Sequence, residues 1–107
     1  MKIGSISVDD RTVQRSAEIA KALGHPARIA ILKVLAERSS CFCGDFTEIL
    51  PLAQSTISQH LKALKTSGLI IGKVKGVRTC YCLNPEGIRE LQSMLSELST
   101  ELIKNCC

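Results

Sequence analysis

Residues 52–87, LAQSTISQHLKALKTSGLIIGKVKGVRTCYCLNPEG, decide how this chain folds. In the first part Ile57, Leu61 and Leu64 recur three and four residues apart, the spacing of one face of a helix. The opposite face carries Gln54, Ser55, Ser58, Gln59, Lys62 and Lys65. Gly68 stands where a helix C-cap glycine is expected. The period then shifts to alternation. Residues 69–75 and 78–83 are rich in β-branched side chains, with Gly76-Val77 between them, which predicts a two-stranded hairpin. Asn84-Pro85-Glu86 opens a last helix, with Asn84 placed to cap it and Pro85 in its first turn.

Upstream, Val13, Ala17, Ala20 and Leu23 predict a helix over residues 12–23, stopped by Gly24. Pro26 begins a second helix that carries Ile29, Leu32, Val34 and Leu35 and lapses after Glu37. Residues 45–50 predict a short third helix with Phe46, Ile49 and Leu50 inward, ended by Pro51. The expected fold is mainly α with a small β-hairpin, one domain over residues 1–107. Its order is four helices, two strands and a fifth helix. A short helix, a tight turn at residues 51–53, a longer helix at about 54–66 and a hairpin at about 69–83 make a winged helix-turn-helix. On the last helix, about 85–104, Ile88, Leu91, Leu95, Leu98 and Leu102 approach a heptad seam, which predicts a dimer contact.

Composition sets the limits. A chain of 107 residues buries a thin core, which favours an interface shared by two subunits. No apolar run exceeds that of residues 29–32, far short of the ~20 residues of a membrane helix. The opening MKIGSISVDD reaches paired acids before an apolar signal core forms, so a cytoplasmic protein with no membrane partner is expected. In that reducing setting the six cysteines suggest metal binding or redox chemistry rather than disulfide staples. A thiol enzyme would need a Cys-x-x-Cys pair or a nucleophilic cysteine in a phosphate-type loop. Neither is present, so no enzymatic activity is expected.

Fourteen Lys and Arg against ten Asp and Glu leave a formal charge of +4, compatible with double-stranded DNA. Gln54, Ser55, Thr56, Ser58 and Gln59 are short or amide side chains near the start of the longer helix, the end that approaches base edges in helix-turn-helix proteins. Lys62 and Lys65 suit phosphates further along, and Lys73, Lys75 and Arg78 cluster at the tip of the wing.

The runs AKALGHPARIAILKVL, LAQSTISQHLKALKTSGLI and GKVKGVRTCYCLNPEG resemble the arsenic-repressor (ArsR/SmtB) family of winged-helix regulators, over nearly the whole chain from about Glu18 to Leu98. Its most specific parts are Ser58-Gln59-His60-Leu61 and the Cys41-Phe42-Cys43 pair. The resemblance implies a homodimer joined through its first and last helices, with each recognition helix in a major groove of an inverted-repeat operator. It also implies release of DNA when an inducer binds. His60 matches the family's Ser-x-His-Leu position and is counted with the DNA-binding residues, expected to hydrogen-bond locally or to phosphate rather than to hold a metal. His25 is structural or simply exposed. Ala53 stands where the family usually has a Ser cap, so Ser55 or Thr56 is expected to cap the helix with a shifted start.

In the family a Cys-x-Cys pair at the place of Cys41 and Cys43 binds arsenite, antimonite or soft divalent metals such as cadmium and lead, in keeping with the softness of thiolates. Gly44 is an extra residue between this pair and Asp45, which leaves the pair either on a helix or on the loop before it. Trivalent arsenic requires three sulfurs, and the third can come from Cys106 and Cys107 or from Cys80 and Cys82. If Tyr81 and Leu83 face the core, Cys80 and Cys82 share the outer face of the wing. A four-thiolate zinc site formed with Cys41 and Cys43 ranks lower, because in this fold the wing lies well away from the third helix. No cofactor is expected to be required for DNA binding itself. The rival readings are a thiol redox or persulfide sensor of the same fold, and a winged-helix protein that binds DNA constitutively.

Overall fold

The computed structural model describes residues 6–39 and 41–107. The opening stretch, expected not to be a signal peptide, lies partly outside the described residues. Asp10 starts the first helix: its carboxylate accepts from the backbone N–H groups of Thr12 at 2.8 Å and Val13 at 3.3 Å. Those are two of the donors that a helix start leaves open. The elements are α1 (Arg11–Leu23), α2 (Pro26–Glu37), β1 (Cys41–Phe42), a 3-10 turn (Phe46–Glu48), α3 (Gln54–Thr66), β2 (Ile70–Lys75), β3 (Arg78–Leu83) and α4 (Pro85–Lys104). His25 caps α2, with Nδ1 accepting from the Ala27 N–H at 3.0 Å.

This is the expected class, helical with an antiparallel wing, and it departs from expectation in two elements. The helix expected over residues 45–50 is only the 3-10 turn. So short a segment cannot offset the cost of nucleating an α-helix, and Pro51 pushes Leu50 away from helical backbone. The hairpin, in turn, is part of a three-stranded sheet of order β1-β3-β2. β1 pairs with β3 through Cys41↔Cys82 and Phe42↔Tyr81, and β2 pairs with β3 from Ile70↔Leu83 to Lys75↔Arg78. Opposed residues share a face of the sheet. Ile70, Leu83, Tyr81 and Phe42 therefore face the core, and Cys41, Cys80, Cys82, Ile71 and Lys73 lie on the reverse.

The core gathers Ala22 of α1, Ile31 and Leu35 of α2, Ile57, Leu61 and Leu64 of α3, Leu69, Ile70 and Phe46. Burying an aliphatic side chain of this size stabilises by about 1.5–3 kcal/mol. The fully buried Ile57 and Leu64 thus hold α3 down and turn its polar face outward. Phe46 meets Phe42 edge-on, with ring centroids 4.7 Å apart. Arg15 clamps three elements: Nε and Nη2 donate to the two carboxylate oxygens of Glu90 on α4, each at 2.8 Å, and Nη2 also donates to the Ser67 carbonyl at 2.7 Å.

The start of α4 packs so closely on the α3–β2 turn that a Cβ at Gly87 would collide with the Gly68 carbonyl oxygen. Asn84 does not cap α4 as expected. Its side-chain amide donates to that same carbonyl at 2.8 Å instead. Beyond Leu91 the helix leaves the core, and Leu95, Leu98 and Leu102 are 51, 48 and 59% exposed. The radius of gyration is 16.4 Å, against about 13 Å for a compact chain of this length, and the projecting helix accounts for the excess. Among the described residues no helix is long and apolar enough to cross a membrane.

Candidate nucleic-acid interface and cysteine cluster

α3 starts at Gln54 with Ala53 as its N-cap, and no side chain caps it. The expected substitute caps, Ser55 and Thr56, lie inside the helix rather than before it. Gln54, Ser55, Ser58, Gln59, Lys62 and Lys65 are all exposed, and Thr56 is half-buried. Gln54 Nε2 donates to Ser58 Oγ at 3.1 Å, which holds two of these polar groups together one turn apart.

His60, expected beside the DNA-binding residues with a local or phosphate hydrogen bond, makes the local one and does not share their exposed face. It is buried, and Arg28 Nε donates to its Nδ1 at 3.1 Å, with the His25 ring centroid 4.3 Å away. The helical period explains this, since position 60 follows Ile57 by three and precedes Leu64 by four, on the inward face. Burial first, then the neighbouring His25 and Arg28, holds its imidazole below the ordinary range.

At the tip of the wing Lys73, Lys75 and Arg78 are exposed, and Lys75 and Arg78 are cross-strand partners. Among the described residues the ion pairs involve Arg15 alone, so no carboxylate engages these three cations. Between the wing and α3 runs an open groove of about 610 Å³ whose lining includes Gln54, Ser58, Arg78, Tyr81, Asp45 and Cys43. The Asp45 carboxylate accepts from the Thr47 hydroxyl at 2.7 Å and the Thr47 N–H at 2.8 Å, bonds that hold it below the usual carboxylate range.

The cysteines fall into two groups. Cys41 is bonded to Cys82 and Cys43 to Cys80, with the Cα atoms 4.0 Å apart in each pair. Two expectations are corrected here. These four cysteines are paired as disulfides, and the wing does not lie away from Cys41 and Cys43. The physical reason is the short strand β1, which pairs along β3 with Cys41 opposite Cys82 and Phe42 opposite Tyr81 and so brings the next residue, Cys43, beside Cys80. The pair therefore lies on a strand and its exit, not on a helix. Gly44 follows because the Phe42 ring folds over it: a Cβ there would come within 2.5 Å of the ring. Cys80 and Cys82 do share the face opposite Tyr81 and Leu83, but they are 2 and 8% exposed, covered rather than outward. Cys41 is exposed and Cys43 half-buried, so the cluster is open from the β1 side. Cys106 and Cys107 are unbridged and exposed beyond the end of α4. With the four sulfurs joined in pairs, no group of three or more His, Cys, Asp or Glu among the described residues is arranged to hold a metal ion.

Residues 25–71, from the α2 cap to the second residue of β2, match the family described as bacterial regulatory protein, arsR family. An uncharacterised HTH-type transcriptional regulator of Methanocaldococcus jannaschii is 38% identical over 86 residues, which cover 79% of this chain and 96% of that one. The chain belongs to the arsR family. The arsenical resistance operon repressor of Bacillus subtilis is 41% identical over 78 residues, 72% of this chain and 70% of that one. A crystal structure of an ArsR family transcriptional regulator shares the fold, with a TM-score of 0.72 at 21% identity over 88% of this chain and 95% of that one. As an arsR-family protein the chain is a DNA-binding regulator of transcription.

Two features of this arsR-family chain escaped sequence reasoning. The Arg15–Glu90 clamp joins residues 75 positions apart and has no local signature. The pairing of β1 with β3 had one, the matching small-aromatic-small triplets Cys41-Phe42-Cys43 and Cys80-Tyr81-Cys82.

Proposed function

We propose that this arsR-family protein is a homodimeric repressor of an inverted-repeat operator that lets go of DNA when a thiophilic inducer engages its cysteine cluster. The inducer is arsenite, antimonite or a soft divalent ion such as cadmium or lead. Gln54, Ser55, Ser58 and Gln59 meet base edges. Lys62, Lys65, Lys73, Lys75 and Arg78 meet phosphates. The protein acts by binding, not catalysis. The exposed leucines of the projecting α4, with Val13 of α1 also exposed, support a second copy as the partner that covers them.

One observation carries the reading: Cys43 lines the same groove as Gln54, Ser58 and Arg78. Only Gly44 and Asp45 separate Cys43 from the turn that opens the helix-turn-helix. A ligand that redraws the sulfur positions shifts β1 against β3, and with it the wing relative to α3. A coupling of 1–3 kcal/mol, typical between two sites, lowers operator affinity by roughly 5- to 150-fold. The test is a reporter gene behind the protein's own promoter. Induction by arsenite or cadmium in the wild type and its loss in Cys41→Ser and Cys43→Ser are expected. A reporter that stays silent, or one induced equally in the variants, refutes the reading.

The disulfides themselves favour a second reading, a redox sensor built on the same sulfurs. There a peroxide oxidises each dithiol to a disulfide and two waters, and operator affinity differs between the two states.

A further inference from the structure

We infer that Cys80 and Cys82 of the wing are the missing half of the inducer site. With Cys41 and Cys43 they form a four-thiolate site, within one protomer, for a soft divalent cation of the cadmium or zinc type. This rests on the reading of the protein as a thiol-responsive regulator and names the ligands that reading leaves open.

The register carries the argument. Cys41 faces Cys82 across the ladder, and Cys43 faces Cys80 one step further on. Side chains two apart on a strand share a face, so all four sulfurs issue from one side of the sheet. Their Cα atoms mark a rectangle 4.0 Å across the strands. Along the strands its edge is about 6.6 Å, two residues at strand rise. A tetrahedral cation with metal–sulfur bonds of about 2.3 Å holds its sulfurs about 3.8 Å apart. Bringing all four sulfurs to that mutual spacing turns the side chains about χ1 and shifts β1 against β3, the movement that couples a bound cation to the wing. The donors are all sulfur, which selects soft cations over magnesium or calcium. Lys73, the cross-strand partner of Cys80 on the same face, places a positive charge beside an anionic centre.

The chemistry balances from the reduced protein. Four thiols and one divalent cation give a tetrathiolate complex of net charge −2 and release four protons, with no change of oxidation state. The disulfide form has no free thiolate in the cluster and takes up no cation. Cys106 and Cys107, at the far end of α4, stay outside the site.

The test uses the full chain, reduced and then titrated with cadmium chloride, and its labelling arm needs no variant. Alkylation with iodoacetamide followed by peptide mass mapping shows which thiols the ion protects. Cys41, Cys43, Cys80 and Cys82 are expected to be protected at least tenfold at one cadmium per protomer, while Cys106 and Cys107 react as before. X-ray absorption at the cadmium edge is expected to count four sulfurs, and three in Cys80→Ser or Cys82→Ser. Labelling of Cys80 and Cys82 unchanged by cadmium overturns the proposal, and so does protection of Cys106 and Cys107 in their place. A filled site with undiminished operator binding upholds these ligands and refutes the regulatory reading. Operator release with Cys80 and Cys82 unprotected does the reverse.

Discussion

Arg78→Ala isolates the electrostatic part of DNA binding. Arg78 is exposed at the tip of the wing, is paired across the strands with Lys75 and is engaged by no carboxylate among the described residues. Its guanidinium is free to meet a phosphate. Losing one phosphate contact takes about 0.9 from the slope of log affinity against log salt, or about 1.8 for a dimer that loses one in each half. Between roughly 50 and 200 mM salt that difference amounts to about twelvefold. The deficit of the variant is therefore about twelve times larger at the low-salt end than at the high-salt end, and it is the same for operator and random duplex. Fluorescence anisotropy with both duplexes across a salt series measures it. An unchanged slope, or a loss confined to the operator, refutes the assignment of the wing to phosphate.

The other predictions concern α3 and its setting. Gln54→Ala or Gln59→Ala should relax base preference at one position per half-site by about 1–3 kcal/mol while leaving the salt slope intact, which competition against single-base operator variants checks. Ala53→Ser should supply the cap that α3 lacks and raise unfolding stability by about 1 kcal/mol, read from urea denaturation. A decrease would show that the helix start is satisfied in another way. Because the native pKa of His60 is depressed, the unfolded chain binds a proton that the native chain refuses. The stabilisation from its neutral form is fully present above the unfolded pKa, near 6.5, and is lost as pH falls through the lower native value. An NMR titration of the ring should give a midpoint below 6.5, and a midpoint at or above that value contradicts its burial against Arg28.

Much of this architecture is legible in the sequence where one element carries its own period. Ile57, Leu61 and Leu64 mark α3 without help from the rest of the chain, and Gly76-Val77 marks the turn of the hairpin. His60 is the instructive exception. The same three-and-four spacing that defines the core face includes it, and burial follows from that spacing although its neighbours in sequence read outward. What eluded reading depends on contacts distant along the chain. β1 is two residues long, too short to show a strand's alternation; its one signal is the likeness of Cys41-Phe42-Cys43 to Cys80-Tyr81-Cys82, and it becomes a strand because β3 offers it an edge. The helix expected at residues 45–50 fails because Pro51 and the short span act against it. Asn84 has a capping side chain, yet the Gly68 carbonyl, brought close by the Gly87 contact, is the acceptor within its reach. The cysteines follow the same rule: their types spoke for thiophilic chemistry, and only the register shows which sulfurs meet.

The central claim is that sulfur chemistry beside the α3 groove governs operator affinity, and it is most directly tested by one binding isotherm taken twice. Reduced protein is titrated into labelled operator duplex, alone and with one equivalent of cadmium or arsenite per protomer. The account predicts an affinity at least tenfold weaker with the inducer, about 1.4 kcal/mol, and no change in the Cys41→Ser, Cys43→Ser double variant. Superimposable isotherms for the wild type contradict it.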